Sequence, residues 1–279
     1  MTERSAGKNG GLREVELSGV EGVRYVPTEH SGVGALVVAG SSGRVDAARA
    51  KLLGEHGALA ESFRWFGGPG QHDGPWEIPL EMFVDRVALL KQECDRVIVL
   101  GLSFGAEAAL LTGALSDDVD AVVAFAPSDV VWAGITAAGR VTSHWTLGGE
   151  PLAFVPFDDR WEPVGDPPAY ADLYRQSRQR FATEAAAAVI PVERIRQVVL
   201  VAGGDDQVWP SVDHVEAIRR RREQHGLATV VVTEPLAGHR ALLPGEPVVV
   251  AGANMRRGGT EEADRLLGSA SWAEIQRLL

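Results

Sequence analysis

Arg96-Val97-Ile98-Val99-Leu100-Gly101-Leu102-Ser103-Phe104-Gly105, running on into Ala106-Glu107-Ala108-Ala109-Leu110-Leu111, decides how this chain folds. A β-branched apolar run predicts a strand and the alanine- and leucine-rich segment predicts a helix. The two meet at a serine with glycine two residues to either side. So tight a strand-to-helix turn admits only small flanking side chains, and its strain lifts the serine hydroxyl clear of the sheet. The helix then aims its first N–H groups and the positive end of its dipole at whatever the serine attacks. In a chain with 32 glycines, a Gly-x-Ser-x-Gly also arises by chance as a plain glycine-rich turn, so the surrounding sequence must decide.

Upstream, Leu12 to Leu17 and Val23 to Val26 alternate at period two and predict an antiparallel pair at a sheet edge. Gly34 to Gly40 is a continuous apolar run, the mark of a strand buried on both faces. A helix is expected from Val45 to His56, a strand from Ala58 to Phe66 that carries Glu61 and Arg64, and a helix from Leu80 to Gln92. Downstream, the elbow helix runs to Leu115 and a strand covers Val119 to Phe125. Strand and helix alternate throughout, which predicts a mostly parallel sheet with helices on both faces.

The alternation breaks at Ala126. The segment 127–190 is proline-rich and carries Trp132, Trp145, Phe154, Phe157, Trp161, Tyr170 and Tyr174. It is too long for a plain connection, and it is expected to form an aromatic-rich lid over the site. The alternative is an ordinary insertion that packs its aromatic rings into a satellite core. Alternation resumes with a strand at Val198 to Ala202, a helix from Val212 to His225 and a strand at Thr229 to Thr233. Thr260 opens a C-terminal amphipathic helix with acids in its first turn. Residues 1–11 are expected to form a disordered lead, and 12–279 a single domain.

Composition narrows the function classes. The 279 residues carry a net charge of −11, which argues against general nucleic-acid binding. The run Arg219 to Arg222 is expected to be the solvated face of a helix. A single cysteine, Cys94, excludes an intrachain disulfide. Neither a signal-peptide pattern nor a long apolar stretch is present, so a cytoplasmic protein without membrane partners is expected. No spacing suggests a metal ligand set, and no glycine fingerprint follows a strand as a nucleotide site requires, so no cofactor is expected.

A serine hydroxyl needs an adjacent base, itself oriented by a third group. On a sheet of this kind the order is Ser, then Asp or Glu, then His, each just past the C-terminal end of a strand. Of the seven histidines, only His214, His225 and His239 come late enough. His214 lies within a predicted helix and His225 ends it, so both read as surface or helix-end residues. His239 follows the last strand in Pro235-Leu236-Ala237-Gly238-His239, where the base belongs. The acid should follow the Val198 strand, which offers Asp205 and Asp206 in Gly203-Gly204-Asp205-Asp206-Gln207-Val208-Trp209-Pro210. The spacing from the strand-ending glycine favours Asp206, leaving Asp205 to support the turn. The oxyanion of acyl transfer needs two N–H donors. Phe104, after the nucleophile, is one; the other is Ser41, with Ser42 as the fallback, in Gly40-Ser41-Ser42-Gly43. The expected acyl pocket is lined by Trp132, Trp145, Phe154 and Trp209.

With these residues in place, the chain resembles the catalytic domain of acyl-CoA thioesterases and bile acid-CoA:amino acid N-acyltransferases, within the α/β-hydrolase superfamily. The resemblance covers about residues 30 to 279. It rests on Gly40-Ser41-Ser42-Gly43, Ile78-Pro79-Leu80-Glu81-Met82-Phe83, the elbow, Ile190-Pro191-Val192-Glu193-Arg194-Ile195, Asp205-Asp206-Gln207-Val208-Trp209-Pro210-Ser211, Ala237-Gly238-His239 and Gly258-Gly259-Thr260 leading to Trp272. The segments at Ile190 and Asp205 are its most specific parts. It implies an α/β-hydrolase fold and an acyl thioester as substrate, carried on coenzyme A or on an acyl carrier protein. There are two departures. Eukaryotic members carry an N-terminal immunoglobulin-like domain for which this chain has no room. The amino-acid-transferring members typically use cysteine where this chain has Ser103, and so do the neighbouring dienelactone hydrolases. Hydrolysis through Ser103, His239 and Asp206 is therefore the expectation. The rivals are an oxygen-ester or lactone hydrolase, an acyltransferase, and a ligand-binding protein on the same scaffold.

Overall fold

The computed structural model describes residues 11–248 and 254–279; except for Gly11, the expected disordered lead lies outside them. Eight strands form the main sheet: β1 Leu12–Glu16, β2 Gly22–Pro27, β3 Val33–Val38, β4 Leu59–Phe63, β5 Arg96–Leu102, β6 Ala121–Phe125, β7 Gln197–Gly203 and β8 Val230–Glu234. Their spatial order is β1-β2-β4-β3-β5-β6-β7-β8. Only β2 runs against the rest, antiparallel to β1 and to β4; the pairings from β4 through β8 are all parallel. This is the α/β-hydrolase topology.

Strand β3 is buried along its whole length, and its side chains divide by the pleat. Val33, Ala35 and Val37 face a layer that includes Ala50 and Leu53 of α1 (Ala47–Glu55) and Leu267, Trp272 and Ile275 of α7 (Glu261–Gln276). Leu36 and Val38 face the opposite layer, with α2 (Glu81–Lys91), α3 (Phe104–Leu115) and α6 (Ser211–Gln224). Thr260 caps α7 by accepting from the Ala263 N–H at 3.2 Å. No helix among the described residues is long and apolar enough to cross a membrane.

Strand β4 tolerates its charges because they are answered. Glu61 is fully buried and accepts from Arg24 Nε at 2.6 Å and from Arg86 Nε at 2.9 Å. Arg222, expected in solvent with its neighbours, is instead fully buried. It donates to the carbonyls of Val192 and Ile195, both at 2.6 Å, of Ala228 at 3.0 Å and of Arg196 at 3.3 Å, and to Thr229 Oγ1 at 3.0 Å. The guanidinium thereby clamps α6 to the chain entering both β7 and β8.

The segment 127–190 holds a short hairpin, Ala133–Ile135 with Val141–Ser143. A strand, Trp145–Leu147, pairs with both Ile78–Pro79 and Glu150–Pro151. Helices α4 (Ala171–Arg180) and α5 (Ala182–Ala187) close the segment. Its Trp132, Trp145, Val155 and Tyr174 belong to the same buried cluster as the sheet face beneath them, not to a satellite core. Three polar ties fix it. The N–H groups of Tyr170 and Ala171 donate to Gln207 O at 2.8 and 3.2 Å, Arg178 donates to Asp129 Oδ2 at 2.6 Å, and His214 Nδ1 lies 2.5 Å from Asp129 Oδ1. His214, expected at the surface, is thus buried in the seam between insertion and α6. Burial works against the Asp129 carboxylate, but its bonds to Arg178 and His214 prevail and hold its pKa well below the usual range.

Candidate active site

Ser103 stands between β5 and α3 with φ +59° and ψ −123°, a region that costs a non-glycine residue roughly 1–3 kcal/mol. The neighbours explain why the chain can hold it there. A Cβ on Gly101 would lie 1.9 Å from Gly105 O, and one on Gly105 would lie 2.3 Å from Ala39 O. Strand, turn and helix therefore approach as closely as bare backbone allows, which is why glycine stands at both positions. The Ser103 N–H donates to Phe125 O of β6 at 2.9 Å, and the Ser103 carbonyl accepts from Ala106 and Glu107 at 2.8 and 3.2 Å. The serine is fixed on both sides, and Phe104 is left as the first residue of α3, where N–H groups have no partner within the helix.

The loop after β3 lies against this elbow: a Cβ on Gly40 would be 3.4 Å from Ser103 Cβ. Ser41 and Ser42 follow, both exposed, and the turn closes with Gly43 N donating to Gly40 O at 2.9 Å. Two of the sequence-selected oxyanion donors, Phe104 and Ser41, thus belong to segments that touch.

Asp206 and His239 emerge from adjacent strands, since Gly203 of β7 pairs with Glu234 of β8. Asp206 Oδ2 is 2.8 Å from His239 Nδ1 and accepts from the Ser211 hydroxyl; Oδ1 accepts from the N–H groups of Val208 at 2.9 Å and Trp209 at 3.3 Å. Every acceptor direction of this buried carboxylate is used, so it is held immobile beside the imidazole. Asp205 turns away, accepting from Gln207 Nε2 at 2.9 Å and from Gly259 N at 2.8 Å. The loop carrying His239 is pinned as well: His239 N donates to Arg257 O at 3.0 Å and Gly238 N to Asp264 Oδ1 at 2.7 Å. Trp209 packs between the two halves of the site, its ring 5.4 Å from that of Phe104 and 5.9 Å from that of His239.

Of the expected pocket residues, Trp132, Trp145 and Trp209 are fully buried among other side chains, and Phe154 is partly exposed. Trp209 Nε1 donates to Ala126 O at 3.0 Å. Trp145 Nε1 donates at 2.9 Å to a carboxylate that sequence reasoning had not singled out, Glu107 of α3. His144, which the chain-order rule had passed over, stacks on Phe104 with ring centroids 4.0 Å apart. Ser211 was visible only as the last residue of the Asp-Asp-Gln-x-Trp-Pro-Ser segment. Arg240, next to His239, is pushed down to about 10 by burial and by facing Arg257, Arg44 and Arg49. Among the described residues no group of three His, Cys, Asp or Glu side chains is placed to hold a metal ion.

Residues 78–279 match the family model described as "BAAT / Acyl-CoA thioester hydrolase C terminal". No protein of the curated set matches the chain. Among solved structures, the chain is similar to a protein assigned as a dienelactone hydrolase from Klebsiella pneumoniae, at 14% identity and TM-score 0.53, over 95% of this chain and 96% of that one. It is also similar to a dienelactone hydrolase-like promiscuous phosphotriesterase from metagenomic libraries, at 15% identity and TM-score 0.52, over 96% and 98%. At such identities these likenesses establish the fold and leave the substrate open.

Proposed function

This chain belongs to the BAAT / acyl-CoA thioester hydrolase C-terminal family, and from that premise we infer that it is a serine hydrolase cleaving an acyl thioester. The observation that carries the inference is the buried Asp206–His239 contact at 2.8 Å, placed on the strand edge from which Ser103 also emerges. Asp206 keeps the proton of His239 on Nδ1, which leaves Nε2 free to take the Ser103 proton. Ser103 Oγ attacks the thioester carbonyl, and the tetrahedral oxyanion is held by the N–H groups of Phe104 and Ser41. The imidazolium gives its proton to the departing thiolate. Water then enters, His239 takes a proton from it, and collapse of the second tetrahedral intermediate releases the acid and restores Ser103.

One further feature supports a thioester with an anionic leaving group. Arg240, next to the base, faces Arg257, Arg44 and Arg49, with Asp46 opposing them, a concentration of positive charge in a chain of net charge −11. Such a cluster suits the phosphates of coenzyme A or of a carrier-borne pantetheine. We further propose that residues 12–279 act as one domain in which 127–190 covers the acyl side of the site. No cofactor enters the scheme.

The test is a panel of matched thioesters and oxygen esters of one acyl group, run on the wild type and Ser103→Ala, with fluorophosphonate labelling of both. Thioester turnover and labelling that vanish together in Ser103→Ala are expected. Full activity in the alanine variant would remove Ser103 from the mechanism, and equal rates on oxygen esters would remove the thioester assignment. Product carrying an added amine at the expense of free acid would make the protein a transferase.

A further inference from the structure

Directly below the elbow lies a polar group that the proposed hydrolysis does not use. Glu107 and His144 are both fully buried. Glu107 Oε2 is engaged, accepting from Trp145 Nε1 at 2.9 Å and from Trp132 N at 3.5 Å. Glu107 Oε1 and both ring nitrogens of His144 have no hydrogen-bond partner among the described residues. Buried polar atoms are almost always paired, and Trp145 touches both residues, so Glu107 Oε1 and a ring nitrogen of His144 point to a ligand group that pairs them.

The region is continuous. The His144 ring stacks on Phe104 at 4.0 Å and lies 4.7 Å from the ring of Trp145. His144 N donates to Trp132 O at 3.2 Å. Phe104 and Glu107 are three residues apart on α3 and share a face. Glu107 is one helical turn from Ser103, about 6 Å along the axis. Of these five side chains only Phe104 has exposed surface. An acyl chain attached at Ser103 would pass its ring to reach the others.

We propose that Glu107 and His144 form a subsite that pairs with a hydroxyl group on the acyl chain, so that the preferred substrate is a hydroxyacyl thioester. The proposal rests on the thioester hydrolase reading above and names the substrate class of that same site. The chemistry selects a hydroxyl in three steps. Burial raises the Glu107 carboxyl to about 8, so near pH 7 it carries a proton. Because Oε2 already accepts two N–H groups, that proton belongs on Oε1, which becomes a donor. Burial likewise lowers His144 to about 3, so its ring is neutral and offers one donor and one acceptor. A hydroxyl can accept from the carboxylic acid and donate to the imidazole. A ketone can only accept, and an ionised carboxylate would find no cation here. The tryptophan walls exclude water around this one polar contact, the condition under which a lost hydroxyl costs most.

The experiment measures binding separately from turnover. Acyl-CoA thioesters of one chain length, unsubstituted or hydroxylated at successive carbons, are titrated into Ser103→Ala by calorimetry and assayed for hydrolysis by the wild type. One hydroxyl isomer should bind about tenfold more tightly than the plain chain and show a comparable gain in kcat/KM. Adding His144→Phe, which keeps the stack on Phe104, or Glu107→Leu should reduce that preference to less than about threefold. Equal binding of all isomers to Ser103→Ala overturns the subsite, whether or not either core variant folds. If thioesters are hydrolysed without hydroxyl preference, the subsite fails and the hydrolase reading stands. If a hydroxyl isomer is preferred in binding and nothing is hydrolysed, the subsite stands and the hydrolase reading fails.

Discussion

Replacing Asp206 by asparagine exchanges one carboxylate oxygen for an NH2 group and separates the proposed mechanism from its alternatives. In the wild type Oδ1 accepts two backbone N–H groups, from Val208 and Trp209, while Oδ2 meets His239 Nδ1 at 2.8 Å. Asparagine has one oxygen and one NH2. With the oxygen kept on the two backbone donors, the NH2 faces His239 Nδ1. The imidazole must then carry its proton on Nε2, where it cannot accept from Ser103. Turning the amide over restores the productive tautomer but sets NH2 against both backbone N–H groups. Two lost bonds at roughly 1–2 kcal/mol each make that orientation about 3 kcal/mol unfavourable, a factor of roughly 150 in population. Loss of the charge that stabilises the imidazolium adds about another tenfold or more, giving an expected fall in kcat of about 10³–10⁴ with little change in KM. Asp205→Asn is the control. Its carboxylate bonds Gln207 and Gly259 and does not touch His239, so kcat should fall less than about tenfold. Steady-state kinetics on a thioester, with melting temperatures to confirm folding, decide the matter. A folded Asp206→Asn retaining more than a tenth of wild-type kcat, or a larger effect from Asp205→Asn, would refute the assignment.

Three further perturbations probe the scaffold. Gly105→Ala would place a methyl group 2.3 Å from Ala39 O and 2.6 Å from Val38 O; at least about 2–3 kcal/mol of stability and most serine labelling should be lost, and near-wild-type melting would show that the elbow is looser than described. Glu107, raised to about 8 by burial, keeps its proton where an unfolded glutamate has lost it, so its contribution is intact below pH 4.5 and declines as pH climbs towards 8. Glu107→Gln should therefore match the wild type near pH 4 and gain on it up to a ceiling of roughly 5 kcal/mol near pH 9, and a pH-independent difference in denaturant melts would contradict the raised value. Arg222→Met leaves four carbonyls without their donor and should cost roughly 3–5 kcal/mol, whereas Arg220→Met on the exposed side should shift denaturant midpoints very little.

What could be read from the sequence was set by distance along the chain. Strand β3 is six consecutive apolar residues, all buried, and the elbow is a local pattern whose glycines answer to contacts within a few residues or on the neighbouring strand. The order of serine, acid and base added a rule that needs only strand ends, and it singled out Asp206 and His239, which lie 2.8 Å apart. The interior charges were hidden because their partners are remote: Glu61 meets Arg24, Asp129 meets His214, and Arg222 meets Val192, each across 25 residues or more. The rule that charged residues face water therefore misplaced His214 and Arg222. Helical phase held a correction. His214, Ile218 and Arg222 recur at intervals of four with Ser211 and Val215 alongside, one buried stripe on α6, so only one arginine of the run Arg219 to Arg222 was placed to point inward. That stripe also ties the site together. The same helix presents Ser211 to Asp206, His214 to the insertion through Asp129, and Arg222 to the chain entering β7 and β8. A helix that looks like a solvated arginine face thus positions Asp206, the seam with the insertion and the strands behind it, through buried polar residues that do not touch Ser103.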